Sequence, residues 1–338
     1  MNKNENLFFI PENMPDFVKK TIDQLIENNN SFGIPPIKYC VKAEGGTIHY
    51  VYKIICTDKS SYYLKIRSDH PSGLPQYQLQ SKDILIEEKA LNFLSKLFPK
   101  LFPRVIFSNK KDPFIIIEDL LPEGGMRVDE ILYLGLNEKE LTQLAKKIGN
   151  LIGKIHQELK KKEELSFLDK NLSREKFLEK IKQKFRHSNA RLFKIILDEY
   201  SKNDTQLILG DFSPKNIGVN INNEIIFFDV EDFCFGSTDF EISYFLGHAM
   251  LHFLVREENP TFFIEEFLKS YKRHVNTNYW LVKSTTIATM LHRINSPAPY
   301  KLQLTENKKS ELLTKMNYLI ENFEQNNFDW NEIVAILL

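Results

Sequence analysis

One short stretch of this chain constrains everything around it. Between residues 206 and 232, three β-rich runs (QLILGDF, NIGVNI and EIIFFDVED) carry Asp211, then Asn216 five residues on, then Asp229 thirteen residues further. A short loop leaving a strand aims Asp211 and Asn216 at one cavity. A hairpin turning at Asn222-Asn223 then returns Asp229 beside them. The chemistry of such a trio is definite. A carboxylate within hydrogen-bond reach of a hydroxyl orients it and accepts its proton. A second carboxylate and an amide carbonyl are hard oxygen donors of the kind Mg²⁺ takes.

The sequence on either side has two characters. Residues 15–28 (PDFVKKTIDQLIEN) predict an amphipathic helix with Phe17, Ile22, Leu25 and Ile26 on one face and Asp16 as N-cap. From about residue 37 the period changes to that of strands. IKYCVKAEGG, HYVYKIICT and SYYLKIRS are β-rich runs broken by Gly45-Gly46 and Asp58-Lys59-Ser60, and 69–82 reads as loop. Residues 83–97 return to helical spacing through Ile84, Leu91 and Leu94, with Asp83 as N-cap, and RVIFS and PFIIIEDL follow as strands. Residues 33–119 therefore read β-β-β-α-β-β. After Pro122-Glu123-Gly124-Gly125 the chain is mostly helical. Residues 137–160 are strongly periodic, the Lys-rich stretch 160–185 reads as exposed helix and loop, and everything after about 239 is helical again.

Composition narrows the classes. At 338 residues the chain can bury two cores. Lys plus Arg and Asp plus Glu are 45 each, which argues against nucleic acid or an anionic membrane as partner. Cys40, Cys56 and Cys234 lack the spacing of a disulfide framework or a zinc site and read as buried free thiols. The first residues carry no sustained apolar run, and no stretch approaches a membrane span, so the expected location is cytoplasmic.

GDFSPKNI followed by FFDVEDF resembles the aminoglycoside phosphotransferase and choline kinase superfamily, which has an H-G-D-x-x-x-x-N loop and a following I-D-x-E or I-D-x-G strand. The Asp229-Val230-Glu231 version is similar to that of choline and methylthioribose kinases. The resemblance implies an α+β, bilobal protein-kinase-like fold with a small β-rich N-lobe, one main helix and a larger helical C-lobe. It makes Asp211 the catalytic base, Asn216 and Asp229 the Mg²⁺ ligands, and Glu231 a further metal or supporting group. Asp239, in FGSTDFEISYFLG, would buttress the catalytic loop. The family's His before Gly-Asp is Leu209 here, a departure at a position that organises the loop.

Upstream, AEGGTIHYVYKI resembles the family's nucleotide loop, with Gly45 and Gly46 letting backbone N–H groups approach phosphates. Lys65 sits where the family places its phosphate-contacting lysine. Glu87, with Glu88 as the alternative, sits where it places the lysine's partner. The backbone of Glu118 to Leu120 would meet the adenine edge, and His156 in LAKKIGNLIGKIHQ reads as structural. Acceptor-binding candidates are Asp232, His248, His252, Tyr279, Trp280, His292 and Arg293, each with core packing or a helix-end charge as its plainer reading.

Together these residues imply a kinase that uses ATP (or GTP) and Mg²⁺ to phosphorylate a hydroxyl of a small molecule. The alternative is a nucleotide-binding scaffold of the same fold with little transfer. No A-P-E pattern follows Asp229, which disfavours a protein acceptor. The expected organisation is a helical extension (1–32), a nucleotide-binding lobe (33–121) and a catalytic, acceptor-binding lobe (122–338). The oligomeric state has no sequence signal.

Overall fold

The computed structural model describes residues 14–27, 29–43, 49–69, 83–185, 190–202, 205–295, 304–323 and 326–338. The chain forms two compact units, one of Met1–Gly125 with Ile226–Glu231, the other of Met126–Ile225 with Asp232–Leu338.

The first unit is built on a five-stranded antiparallel sheet of β1 (Ile37–Lys42), β2 (Tyr50–Cys56), β3 (Ser61–Ile66), β4 (Val105–Asn109) and β5 (Phe114–Glu118), in the order β1-β2-β3-β5-β4. Side chains alternate across a strand, so the register decides what each face carries. Tyr52, Ile54, Leu64, Ile66, Phe114 and Ile116 share one buried cluster with Val18, Ile22 and Leu25 of helix α1 (Asp16–Glu27). Burying those three helix side chains contributes roughly 1.5–3 kcal/mol apiece before entropy is subtracted. Lys65 falls between Leu64 and Ile66, so it points from the opposite face of β3. That face meets α2 (Ile84–Leu97), which buries Glu87, Leu91 and Leu94.

Three sequence expectations need correction here. Val18, not Phe17, completes the buried face of α1, because 18, 22 and 25 are the i, i+4, i+7 set. Phe17 is 42% exposed and rests edge-on against the Tyr50 ring. Asp16 begins α1 instead of preceding it. Asp83 does precede α2, but its carboxylate makes no capping bond and lies 3.5 Å from the Arg67 guanidinium.

The second unit is mostly helical: α3 (Val128–Leu134), α4 (Glu138–Lys160), α5 (Lys170–Phe185), α6 (Ala190–Lys202), α7 (Thr238–Val255), α8 (Thr261–Tyr271), α9 (Tyr279–Asn295), α10 (Glu306–Asn322) and α11 (Trp330–Leu337). Asn137 caps α4, its side chain accepting from Glu140 N at 3.0 Å. A Cβ at Gly149 would lie 2.3 Å from Phe267 O, so the missing side chain is what lets α4 and α8 pack backbone to backbone. Helix α7 is buried from Phe240 to Leu254, the polar Glu241, Ser243, His248 and His252 included. Short strands hold the functional loop: β6 (Met126–Arg127) pairs with β8 (Ile217–Val219), and β7 (Gln206–Ile208) with β10 (Cys234–Gly236), while β9 is Ile225–Phe227. Cys40, Cys56 and Cys234 are free and buried. No described helix is long and apolar enough to cross a membrane.

Candidate active site

In the first unit, charges converge under the sheet. Lys65 Nζ donates to Glu87 Oε1 at 2.5 Å and to Asp229 Oδ1 at 2.8 Å. It is Glu87, and not the adjacent Glu88, that meets the lysine. Burial alone would lower the Lys65 ammonium, but Asp229, Glu87 and Glu231 outweigh it and hold Lys65 above its ordinary range. Full burial pushes the Glu87 carboxyl up, and Lys65 and His49 oppose that push. With Lys65 at 2.5 Å, the ionised pair is the form this geometry supports. Asp229 sits at φ +62°, a left-handed conformation that a short polar side chain tolerates.

Glu231 has a different set of partners. His49 Nε2 lies 2.6 Å from its Oε2, and Arg67 Nη1 donates to the same oxygen at 3.3 Å. That oxygen is engaged by nitrogen groups instead of facing open space. His49, Glu87 and Asp229 present ligand atoms within 4.8 Å of one another, but Lys65 already bridges the two carboxylates. An imidazole in such a trio also suits Mg²⁺ poorly. Gly45 and Gly46 lie outside the described residues.

In the segment expected to meet adenine, the Glu118 backbone donor is already engaged. The Glu118 N–H donates to Arg104 O at 3.0 Å, and its carboxylate takes Arg104 Nη2 at 2.8 Å, so no donor bond from Glu118 is on offer to a base. The Asp119 side chain fixes this stretch. Its carboxylate accepts from Ser61 Oγ at 2.7 Å and Leu121 N at 2.9 Å and pairs with Lys53 at 2.8 Å. Leu120 sits between these anchored residues.

In the second unit, the loop after β7 presents Asp211. Gly210 precedes it at φ +89°, and a Cβ there would fall 1.9 Å from Asp232 O, which is why glycine stands at this position. Ser213 N donates to Asp211 O and Asn216 N to Ser213 O, both at 2.9 Å, closing a 3₁₀ turn over Pro214–Asn216. Asn216 Nδ2 donates to Asp211 O at 2.8 Å and to Asp211 Oδ2 at 3.0 Å. Both bonds use the amide nitrogen, so neither occupies the amide oxygen of Asn216.

Burial would raise the Asp211 carboxyl, but Lys215, Lys184 and Lys180 overcome that and hold it well below the usual carboxylate range. Lys184 Nζ is 3.5 Å from Oδ1 and Lys215 Nζ 3.3 Å from Oδ2. Lys180 bonds to Asp232 and donates to Gly210 O at 2.8 Å. The Lys-rich stretch 160–185 is thus not only exposed helix: α5 turns Lys180 and Lys184, one helical turn apart, onto the loop. That spacing was the readable signal, hidden among other lysines.

Glu241, not Asp239, holds the loop backbone. It accepts from Leu209 N at 3.0 Å and Gly210 N at 2.5 Å, while His156 Nε2 lies 2.7 Å from its Oε2. His156 is fully buried and its other ring nitrogen meets Tyr271 OH at 2.8 Å, the structural role its helix suggested. Asp239 instead accepts from Asn278 N at 3.2 Å, and burial pushes it up to about 6. Of the acceptor candidates, Asp232, His248 and Arg293 belong to the surroundings of Asp211. Burial first, then Arg293, keeps His248 neutral. Burial lowers His252 to about 4, with Arg256 adding to the effect. Trp280 packs on Phe323, Lys272 covers the Tyr279 ring at 3.5 Å, and His292 lies in the last turn of α9.

Similarity to known proteins agrees with this arrangement. The amicoumacin kinase hAmiN, in complex with AMP-PNP, Ca²⁺ and Ami, superposes with a TM-score of 0.57 at 17% identity, over 95% of this chain and 100% of that one. Choline kinase LicA from Streptococcus pneumoniae gives 0.54 at 12% identity, over 90% and 100%. Aminoglycoside phosphotransferase APH(3'')-Id from Streptomyces rimosus ATCC10970, in complex with ADP and streptomycin, gives 0.55 at 15% identity, over 82% and 99%. No curated protein matches the chain in sequence. A five-stranded unit with a buried Lys–Glu pair and a helical unit carrying the Asp–Asn loop are the two parts of a protein-kinase-like α+β fold. Residues 40–282 match the family APH, described as the phosphotransferase enzyme family, and the chain belongs to it.

Proposed function

We propose that this phosphotransferase moves the γ-phosphoryl group of ATP, or of GTP, to a hydroxyl of a small molecule. The observation that carries the reading is the Lys65 ammonium held between Glu87 and Asp229, the latter 164 residues away in sequence. A lysine fixed by two carboxylates is a preset donor for phosphate oxygens and needs no reorganisation as the nucleotide arrives.

Asp211 serves the acceptor. Its carboxylate stays ionised at neutral pH and orients the hydroxyl, whose oxygen bonds to phosphorus as the bond to the β–γ bridging oxygen breaks. The hydroxyl proton passes to Asp211, and the products are a phosphate ester and the nucleoside diphosphate. A strongly acidic carboxyl is a weak base, which suits a loose transition state where positioning matters more than proton removal. Asn216 and Asp229 would hold Mg²⁺, since an amide oxygen and a carboxylate are its preferred donors. When bound, the ion neutralises charge on the phosphates.

Leu209 would favour binding without transfer only if it left the loop unsupported. The Leu209 and Gly210 N–H groups are both held by Glu241, so support for the loop is present. The test is ADP release from a panel of alcohols (amino alcohols, aminoglycosides, methylthioribose, homoserine), with and without Mg²⁺. The reading predicts Mg²⁺-dependent stimulation by at least one of them. A chain that neither binds nucleotide with Mg²⁺ nor releases ADP contradicts it.

A further inference from the structure

Two rungs join β3 to the segment that carries Asp229. Lys65 and Arg67 are two residues apart, and the Arg67 N–H still donates to Pro113 O at 3.3 Å, which carries the sheet one residue past β3. Alternation along a strand then puts both side chains on one face. Asp229 and Glu231 are also two residues apart, with the buried Val230 between them. Lys65 Nζ donates to Asp229 Oδ1 at 2.8 Å, and Arg67 Nη1 donates to Glu231 Oε2 at 3.3 Å. His49, the residue before β2, brings its Nε2 to 2.6 Å from the same Glu231 oxygen. The side chains of His49, Arg67 and Glu231 are only 4%, 8% and 9% exposed, so water and salt screen these contacts little.

Glu231 is badly placed to be a metal ligand. Its Oε2 already meets two nitrogen groups, and a cation bound there would stand beside a guanidinium that keeps its charge. The same contacts suit it to hold Asp229. Asp229 sits at φ +62°, a conformation that a residue other than glycine keeps only where its surroundings fix it. Lys65 fixes the Asp229 side chain, and the Glu231 rung fixes the backbone two residues on. His49 follows shortly after Gly45 and Gly46, so that rung also fixes the chain as it enters β2.

Resting on the phosphotransferase reading above, we infer that Glu231 is an anchor and not a metal ligand: clamped by Arg67 and His49, it holds Asp229 where the metal-bound nucleotide needs it. Arg67 and His49 are then positioning residues for that aspartate, and neither touches the metal.

Mn²⁺, which suits the same oxygen donors as Mg²⁺, is the probe. It is titrated into the full-length protein with ADP present, and the bound ion is followed by electron paramagnetic resonance. Glu231→Ala, Arg67→Met and His49→Leu should each weaken Mn²⁺ binding about 10–100-fold, as loss of a group that orients a ligand does. The doubles Arg67→Met/Glu231→Ala and His49→Leu/Glu231→Ala should be no worse than their weaker single variant, because both changes break one clamp. Glu231→Gln, whose amide oxygen still accepts from Arg67, and Arg67→Lys should keep most of the affinity. At saturating Mn²⁺ the spectrum of Glu231→Gln should match that of the wild type, since the ligands are unchanged. Urea unfolding without metal or nucleotide reports that each variant folds, and Arg67→Met against Arg67→Lys carries the test if Glu231→Ala does not. Equal losses in Glu231→Ala and Glu231→Gln with Arg67→Met and His49→Leu unaffected, or an altered spectrum, would make Glu231 a ligand and overturn the inference. Additive losses in the doubles, or single variants that bind like the wild type, would overturn it too. A wild-type protein that binds no Mn²⁺ with ADP would sink the phosphotransferase reading, and the inference with it.

Discussion

Glu241 and Gly210 are joined by a hydrogen bond of 2.5 Å from the Gly210 N–H to Glu241 Oε1, both groups buried, and the residue so held is the one before Asp211. The second carboxylate oxygen takes Leu209 N and faces His156. Truncation in Glu241→Ala strands two buried backbone donors and should cost roughly 2–5 kcal/mol in urea unfolding. Glu241→Gln should fall between, since one oxygen becomes a donor facing another donor. Both variants should lose turnover more than nucleotide affinity, which a kcat and Kd comparison reads. Full stability in Glu241→Ala would mean the loop is held by something else.

The Lys65 ammonium between Glu87 and Asp229 makes a second prediction. Lys65→Met leaves Glu87 fully buried beside Asp229 without its cation, and removing one member of a buried pair costs about 3–5 kcal/mol. The double variant Lys65→Met/Glu87→Leu should regain much of that loss by replacing the pair with apolar volume, while nucleotide binding stays poor. Chemical denaturation and ADP titration of both variants check the two halves separately.

Asp239 carries a pH signature. Burial raises its carboxyl from 3.8 to about 6, with the Asn278 N–H opposing. A group with a raised folded-state value contributes stability that is fully present below its unfolded value and is lost as pH climbs through the folded one. The Asp239 contribution should therefore fade between about pH 4 and pH 6, by at most about 3 kcal/mol at 1.36 kcal/mol per unit. Asp239→Asn should gain on the wild type across that window and be level with it near pH 4. Parallel unfolding curves at both ends would remove this assignment.

How much of this was legible in the sequence depended on whether the signal was local. The strands and α2 followed from alternation and helical spacing, and Lys65, Glu87, Asp211, Asn216 and Asp229 stood in an ordered series. The misses share a different cause. Glu241 and Asp239 are two residues apart in one apolar helix, and only the packing against β7 and the loop decides which of them faces it. Lys180 and Lys184 look like any charged helix face until Asp211 is placed beside them. His49 and Arg67 flank the strands β2 and β3 as ordinary surface residues would, and only the return of the chain at Ile226–Glu231 gives them Glu231 as partner. Asp119 lies in a segment whose expected contact is through the backbone, which leaves no side-chain pattern.

The central claim is a division of labour between two aspartates, and paired variants test it most directly. Mg²⁺-dependent ATP binding and ADP release would be measured for Asp211→Asn and Asp229→Asn against the wild type, with an acceptor from the panel. The account predicts that Asp211→Asn binds ATP normally and loses roughly 10²–10⁴ of turnover, as loss of a positioned acid–base group does. Asp229→Asn should lose Mg²⁺-dependent ATP binding itself. Wild-type turnover in Asp211→Asn, or undiminished Mg²⁺-dependent binding in Asp229→Asn, would contradict it.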